Sequence, residues 1–439
     1  MTLVEQVQAA GVVGAGGAGF PTHIKLQGRC EAVIANGAEC EPLLHKDSCL
    51  LEHQAPQIVD GLKRTMEAVR ASRGWIALKR KHAAIVEAVR AAVRGTDIGV
   101  HLLGDYYPAG DEFVLVHEVT GRLIPAGGIP LQVGCVVQNV ETLVNISNAA
   151  SGLPVTKKVL TIAGAVRDPT TLVVPLGTSI RDCVIAAGNP TVADPVLLVG
   201  GVMMGELSTC LDSPVTKTTA GVVILSADHP IAKRRGLTAA SMRAIGRSAC
   251  DQCRYCTEYC PRYLLGYGVE PHQVMRGLGF SMVGEPSWST WAGLCCACGL
   301  CTLYACPEGL FPKEACDDAR AELKRNGWKP DGDVPIAPHP MHSGRRVPAQ
   351  GLLRRLHLQE FDHPAPLKHD RVQPARVVLR RKQGAGVAAV PIVGTGAEVS
   401  SGALVAEPPP GQLGARLHAP IAGTIASIDA ESIVIQHHL

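Results

Sequence analysis

Eight of the sixteen cysteines fall in two tight groups, and their spacing is that of iron–sulfur ligation. The run CDQCRYCTEYCP supplies Cys250, Cys253, Cys256 and Cys260, followed by Pro261. This is the C-x2-C-x2-C-x3-C-P pattern of bacterial ferredoxin-type [4Fe–4S] centres. The run CCACGLCTLYACP supplies Cys295, Cys298, Cys301 and Cys306 ahead of Pro307, with one more residue before the last cysteine. Three thiolates at this pitch wrap one cubane, and the distant fourth serves the neighbouring cluster. The expected ligand sets are therefore Cys250, Cys253, Cys256 and Cys306 for one cluster, and Cys295, Cys298, Cys301 and Cys260 for the other. Zinc fits poorly, because it uses paired C-x2-C hooks and has no need of a third hook or a trailing proline. Two adjacent clusters make a path for single electrons. The other cysteines (Cys30, Cys40, Cys49, Cys135, Cys183, Cys210, Cys296 and Cys316) are scattered through apolar or loop contexts. They read as small buried hydrophobes or incidental thiols.

A second signal lies near the start, in GVVGAGGAGFPTHIK, residues 11–25. Gly14, Gly16 and Gly19 form a G-x-G-x-x-G, with Gly17 between them. A Rossmann fingerprint needs a buried strand before the loop and a helix opening behind it. Here the preceding TLVEQVQAA reads as a short helix, and Pro21 biases Phe20 away from helical angles. The alternatives are a plain Gly/Ala turn or a backbone cradle, in which glycines let amide N–H groups approach a phosphate-bearing cofactor.

These groups need a scaffold, and 439 residues allow two to four domains. The composition predicts a multidomain α/β and α+β protein. Residues 1–152 alternate helical and strand patterns and read as an α/β domain. Residues 153–230 are strand-rich with one helix near SIRDCVIAAG. Residues 231–325 carry the cysteine groups on helices, 326–374 are rich in Pro, Arg and His and read as an extended linker, and 375–439 read as a small all-β module. A net charge of +3 and few aromatics argue against nucleic acid as a partner. No apolar run is long enough for a transmembrane helix, and no secretory pattern opens the chain. A cytoplasmic protein is expected. The basic stretch from Arg345 to Lys382 reads as a solvated surface or as a dock for an acidic partner.

With these pieces in place, the chain resembles a known group of flavoproteins. GAGGAGFPTHIK is similar to the FMN loop and following lysine (Lys25) of the NADH-binding subunit of respiratory complex I and of its counterpart in the Rnf complex. NGAECEP, YYPAGDE and QNVET match three further flavin segments in family order. The resemblance implies cofactor contacts from Gly14, Gly16, Gly17, Gly19, Phe20, Lys25, Asn36, Glu39, Glu41, Tyr107, Gly110, Asp111, Glu112, Asn139 and Thr142. It also implies that Glu112 and Lys25 tune the flavin or hold nicotinamide. Ala38 stands where complex I has an aspartate, and Asp111 replaces the first glutamate of its pair.

Residues 153–230 resemble a soluble-ligand-binding β-grasp module, here read as a spacer. Residues 375–439 resemble a biotinyl/lipoyl-like barrel-sandwich whose final turn, IDAES, has no lysine to modify. The order of the modules resembles the cobalamin reductase family of propanediol-utilisation microcompartments. The resemblance implies electron flow from NADH through FMN and two [4Fe–4S] clusters to cobalamin. It also implies a cobalamin adenosyltransferase and microcompartment proteins as partners, with oligomers allowed. An Rnf-like electron-input component of a membrane complex, or a non-catalytic electron-transfer or docking protein, would use the same parts.

Overall fold

Buried strands alternating with amphipathic helices build a parallel sheet from the first 150 residues. The computed structural model describes residues 1–279, 287–332, 334–369 and 372–437. Helix α1 (Leu3–Ala9), closed by a Thr2–Glu5 capping box, leads through the glycine loop to the single turn α2 (Thr22–Lys25). Then follow β1 (Ala32–Gly37), α3 (Lys46–His53), α4 (Ala55–Val69), β2 (Arg73–Lys79), α5 (Ala83–Ala92), β3 (Ile98–Leu103) and β4 (Tyr106–Tyr107). Helix α6 (Glu112–Thr120), β5 (Cys135–Asn139) and α7 (Val140–Ala150) complete the unit.

The strand order is β3-β2-β1-β5, all parallel. β1 is buried on both faces, as its run AVIA requires. α4 lays Ile58, Val59, Leu62 and Val69 into the core, each worth about 1.5–3 kcal/mol of burial. Gly61 lets α4 approach α7 closely, since a Cβ there would lie 2.0 Å from the Leu143 carbonyl oxygen.

Successive strands run from β1 to β3 in one direction, whereas β5 lies on the other side of β1. The carboxyl ends of β1 and β5 therefore flank a topological switch point, where open α/β sheets bind ligands. Asn36 and Asn139 are register partners at that edge.

The middle module holds β6 (Lys157–Gly164), β7 (Thr170–Pro175), α8 (Ile180–Ala186), β8 (Pro195–Val199), β9 (Glu206–Ser208) and β10 (Gly221–Ser226). The cysteine region runs through α9 (Pro230–Arg235), α10 (Ala239–Ala249), α11 (Tyr255–Glu258), α12 (Pro261–Leu264), α13 (Pro271–Gly277), α14 (Ser287–Thr290) and α15 (Pro312–Arg325).

The stretch 326–374 is not the extended linker that its composition suggests. It contains β11 (Val347–Pro348), α16 (Ala349–Arg355) and β12 (Leu367–Lys368). β11 pairs with β4, and β12 adds the sixth strand to the middle sheet, whose order is β12-β7-β6-β10-β8-β9. Val347, Leu352, Leu353, Leu356 and Leu358 are buried in the core beside Tyr107 and Cys298, and that burial outweighs the local Pro and Arg content. The basic residues are also largely engaged within the chain. Arg345 pairs with Glu258, Arg346 with Glu118, Lys368 with Asp168 and Arg380 with Glu431.

Residues 376–436 make two small antiparallel sheets. One joins β13 (Arg376–Arg380), β15 (Glu398–Val399), β18 (Gly423–Ile428) and β19 (Ser432–Gln436). The other joins β14 (Val390–Pro391), β16 (Leu404–Glu407) and β17 (Leu417–His418).

Candidate functional site

The glycine loop closes on itself and lies over the switch point. Gly14 N donates to Phe20 O at 2.9 Å, Gly19 N to Gly14 O at 3.2 Å, and Val13 bridges Pro21. Ala15 N donates to Thr142 Oγ1 at 2.9 Å, which fixes the loop to the start of α7. Gly16 lies over Asn139, where a Cβ would come 3.4 Å from the Asn139 Cβ. Gly17 has φ +121° and open space on its Cβ side, with no atom within 4 Å. Gly16, Gly17 and Ala18 form the exposed tip. Here the chain offers unblocked backbone of the kind a phosphate-bearing cofactor needs. Gly19 (φ +63°) meets a different neighbour: its carbonyl accepts from Ala385 N at 3.0 Å, so the C-terminal module clamps the loop from behind.

The other sides come from the sheet edge. Lys25 Nζ lies 3.1 Å from Glu112 Oε1 and donates to Val137 O at 3.2 Å. Both side chains are partly exposed, so the pair is available to a ligand. Asn36 Nδ2 donates to Gly110 O at 2.9 Å, and Asn139 caps α7 through Glu141 N. Glu39, at φ +32°, accepts from Asp47 N. Burial, then the Asp47 charge, pushes its carboxyl up to about 8. These residues fit a flavin phosphate and ring: open backbone, a cation at the edge, and amide and carboxyl groups beneath.

Glu39 supplies a testable sign. A carboxyl whose folded pKa lies above its usual 4.5 adds stability that is present at low pH and lost as pH rises toward about 8. Thermal melts of wild type and Glu39→Gln between pH 5 and 8 should therefore diverge in favour of the variant as pH rises. A constant gap between the two would mean that Glu39 is ionised throughout.

Beneath the loop lies a buried charged network centred on Glu141 of the QNVET segment, whose partners Lys46, Asp47 and Lys158 the sequence motifs do not include. Lys158 and Lys46 are almost wholly buried, and both reach Glu141 Oε2, at 2.5 Å and 3.3 Å. Lys46 also pairs with Asp47, whose Oδ2 accepts from Asn139 Nδ2 at 2.9 Å. Lys158 Nζ donates to Ala15 O at 3.0 Å, so the network holds the glycine loop directly. Burial would raise the Glu141 pKa, but Lys158 and Lys46 outweigh it and hold the carboxylate below its usual range. Burial lowers Lys158 to about 8, more than Glu141 restores, whereas three carboxyl groups keep Lys46 raised.

Three residues of the flavin motifs point elsewhere. Tyr107 is buried, and its hydroxyl donates to Cys298 O at 2.7 Å. Glu41 accepts from Met203 N and Met204 N, both at 2.9 Å, and so binds a loop of the middle module. Asp111 caps α6 through Phe113 N and Val114 N and pairs with Arg262 at 2.9 Å. Arg262 stacks on the Phe113 ring, 3.6 Å from its centroid. All three join the flavin domain to neighbouring modules.

The cysteines crowd one another across the two sequence groups. Cys256 is pushed up to about 12 by burial and by the nearby Cys306, Cys250 and Cys253. Cys260 is raised by burial and by Cys295 and Cys296, and Cys298 by Cys296, burial, Cys260 and Cys301. Among the described residues, no three donors converge on a single ion position. A cubane binds each thiolate to a different iron and does not need such convergence. Gln252, Arg254 and Ala297 adopt left-handed backbone between the cysteines. N–H groups reach sulfur from Ala297 (to Cys295, 3.3 Å) and Leu310 (to Cys306, 3.3 Å), a contact that tunes cluster potentials. Two thiols that the spacing set aside, Cys296 and Cys316, lie beside Cys298 and Cys295.

Residues 7–148 match the Nuo51 FMN-binding domain family, and residues 249–311 match a 4Fe-4S dicluster domain. The chain is 40% identical to the cobalamin reductase PduS of Salmonella typhimurium, over 98% of this chain and 95% of that protein. The chain belongs to the cobalamin reductase family. The family relative from Citrobacter freundii is 39% identical over 99% of this chain and 96% of its own length. A component of the proton-translocating ferredoxin:NAD(+) oxidoreductase complex of Clostridium ljungdahlii is 33% identical, but over 59% of this chain and 55% of its own. As a cobalamin reductase family member, the protein is an oxidoreductase that carries electrons over FMN and [4Fe–4S] centres. No helix among the described residues is long and apolar enough to cross a membrane.

Proposed function

We propose that the protein takes electrons from NADH and reduces cobalamin, using FMN at the switch point and two [4Fe–4S] clusters. The observation that carries this reading is the convergence of the open glycine loop, Lys25, Asn36, Gly110, Glu112, Asn139 and Thr142 at the sheet edge, in a chain with full-length relatives named cobalamin reductase. FMN there supplies the conversion of a hydride pair into single electrons, which a one-electron metal acceptor requires.

The residues of this chain provide position and charge. Gly17 and the Gly16–Ala18 tip offer backbone to the phosphate. Lys25 balances anionic charge at the rim, with Glu112 orienting its ammonium group. The two ligand sets are Cys250, Cys253, Cys256 and Cys306, and Cys260, Cys295, Cys298 and Cys301.

On this reading the middle module is a β-grasp spacer, supported by its mixed sheet and single helix α8. The two small C-terminal sheets form a barrel-sandwich that clamps the glycine loop through Ala385. The domain ranges are those set by the sequence, with 326–374 packed as a strap across them. The resemblance to microcompartment proteins supports a place inside such a compartment, beside an adenosyltransferase.

Anaerobic absorbance tests the function: NADH plus protein should convert cob(III)alamin to cob(II)alamin. Brisk dye reduction with cobalamin untouched would favour a generic electron carrier. Purified without air, the protein should hold about one FMN and about eight irons per chain, as two cubanes require. Four irons, or zinc in place of iron, would break the two-cluster reading.

A further inference from the structure

The two cysteine groups are not equivalent in their surroundings. Cys260 is buried in the core of the flavin domain, with Ala38, Tyr106, Ala109 and Val114. Arg262, two residues on, is held by Asp111, beside Glu112. Cys298 carries the carbonyl that Tyr107 binds, and it packs with Tyr107 in a second core. The group of Cys260, Cys295, Cys298 and Cys301 therefore abuts the flavin domain.

The other group faces away. Cys306 packs in a satellite core built from α13 and α15, with Cys250 at its edge and Cys295 touching it from the first group. Cys253 is exposed, and the neighbouring Tyr255 side chain also faces solvent. Beside Cys306 opens a cavity of about 290 Å³, lined by Arg234, Arg355, His357, Leu303, Pro307 and Glu308. Arg355 Nη2 donates to Cys306 O at 3.0 Å, so the cavity wall is bonded to the cysteine backbone. Arg234 Nη2 donates to the carbonyls of Thr302, Gly309 and Leu310, and Arg355 Nε to that of Tyr304, so backbone bonds fix both guanidinium groups at the cavity wall. Two guanidinium groups against the one carboxylate of Glu308 leave a net positive wall, which favours an anionic guest such as a phosphodiester.

We propose that electrons pass first to the group of Cys260, Cys295, Cys298 and Cys301 and leave through that of Cys250, Cys253, Cys256 and Cys306, onto a cobalamin whose phosphodiester tail sits in the cavity beside Cys306. The seat rests on the cobalamin reading above, whereas the order of the two groups stands without it. The cavity is too small for a corrin ring but has room for part of the nucleotide tail. NADH gives two electrons and a proton as it becomes NAD+. Two cobalt ions each gain one electron, Co(III) becoming Co(II), and no proton crosses the exit.

Anaerobic EPR with NADH, read beside cobalamin turnover, tests both halves. Cys253→Ala should erase one cluster signal, leave the other reducible by NADH, and cut cobalamin reduction at least tenfold. If the surviving cluster can no longer be reduced by NADH, the order is wrong. Arg355→Glu changes no cysteine but removes the bond to Cys306 O, so its cluster signals are read beside turnover and must match wild type. It should raise KM for hydroxocobalamin about tenfold, in the range of a lost charge contact, and leave KM for cobinamide, which has no phosphodiester, where it was. Equal changes for both acceptors, or none, would remove the proposed seat. Failure of the wild type to reduce any cobalamin would refute the functional reading together with the seat, while the EPR order stands on its own result.

Discussion

Glu141→Ala should destabilise the flavin domain by about 3–5 kcal/mol, the cost of leaving buried charge without its partner. Glu141 accepts from both Lys158 and Val159 N and lies 3.3 Å from Lys46, almost wholly buried. Truncation leaves two buried ammonium groups sharing Asp47 and a protein carbonyl. Lys158 is the more vulnerable, because burial already lowers it to about 8 and Glu141 is the carboxylate that most supports its charge. Losing that ammonium also frees Ala15 O, so the loop should loosen and flavin content should fall with stability. Glu141→Gln keeps the shape and part of the hydrogen bonding, and should fall between wild type and Ala. Denaturant midpoints read at pH 7 test this. A Glu141→Ala midpoint matching wild type would mean that water reaches the network.

The parts legible in the sequence are those in which chemistry is written in adjacent residues. The cysteine spacing and the glycine loop are of this kind, because a cubane and a phosphate each take several donors from one short segment. Residues that act across modules were harder to read. In YYPAGDE, the neighbours Asp111 and Glu112 part company: one caps α6 and turns to Arg262, while the other turns to Lys25. Motif membership could not separate them, since the distinction arises from the helix starting between them. Lys158 did carry a signal, a lysine at an inward position of the apolar strand KKVLTIAG, and Lys46 carried none beyond its neighbour Asp47. In the stretch expected to be a linker, AQGLLRRLHL places Leu352, Leu353 and Leu356 at helical spacing, a pattern that Pro, Arg and His on either side obscured.

The glycine loop yields the other large effect. Gly17→Val should abolish stoichiometric FMN while leaving the fold standing. At φ +121°, a β-branched residue is strained by about 1–3 kcal/mol. No protein atom lies within 4 Å of the added Cβ, so no packed neighbour is displaced. The new side chain instead projects into the open ground above the loop tip, where the phosphate must approach the backbone. Gly19→Val is the contrasting variant. Its Cβ would come 2.5 Å from Gly384 Cα, so that change should damage the contact with the C-terminal module as well as the loop. Gly16 is the milder position, because its backbone is one that other residues adopt and its Cβ would meet only Asn139 at 3.4 Å. Flavin fluorescence after acid release, measured beside iron content and melting temperature, separates the three. For Gly17→Val the expected record is near-zero flavin with iron retained and a small drop in melting temperature. Full flavin in a folded Gly17→Val protein would place the phosphate away from the loop tip, and the cradle would have to be sought along Lys25 and the sheet edge alone.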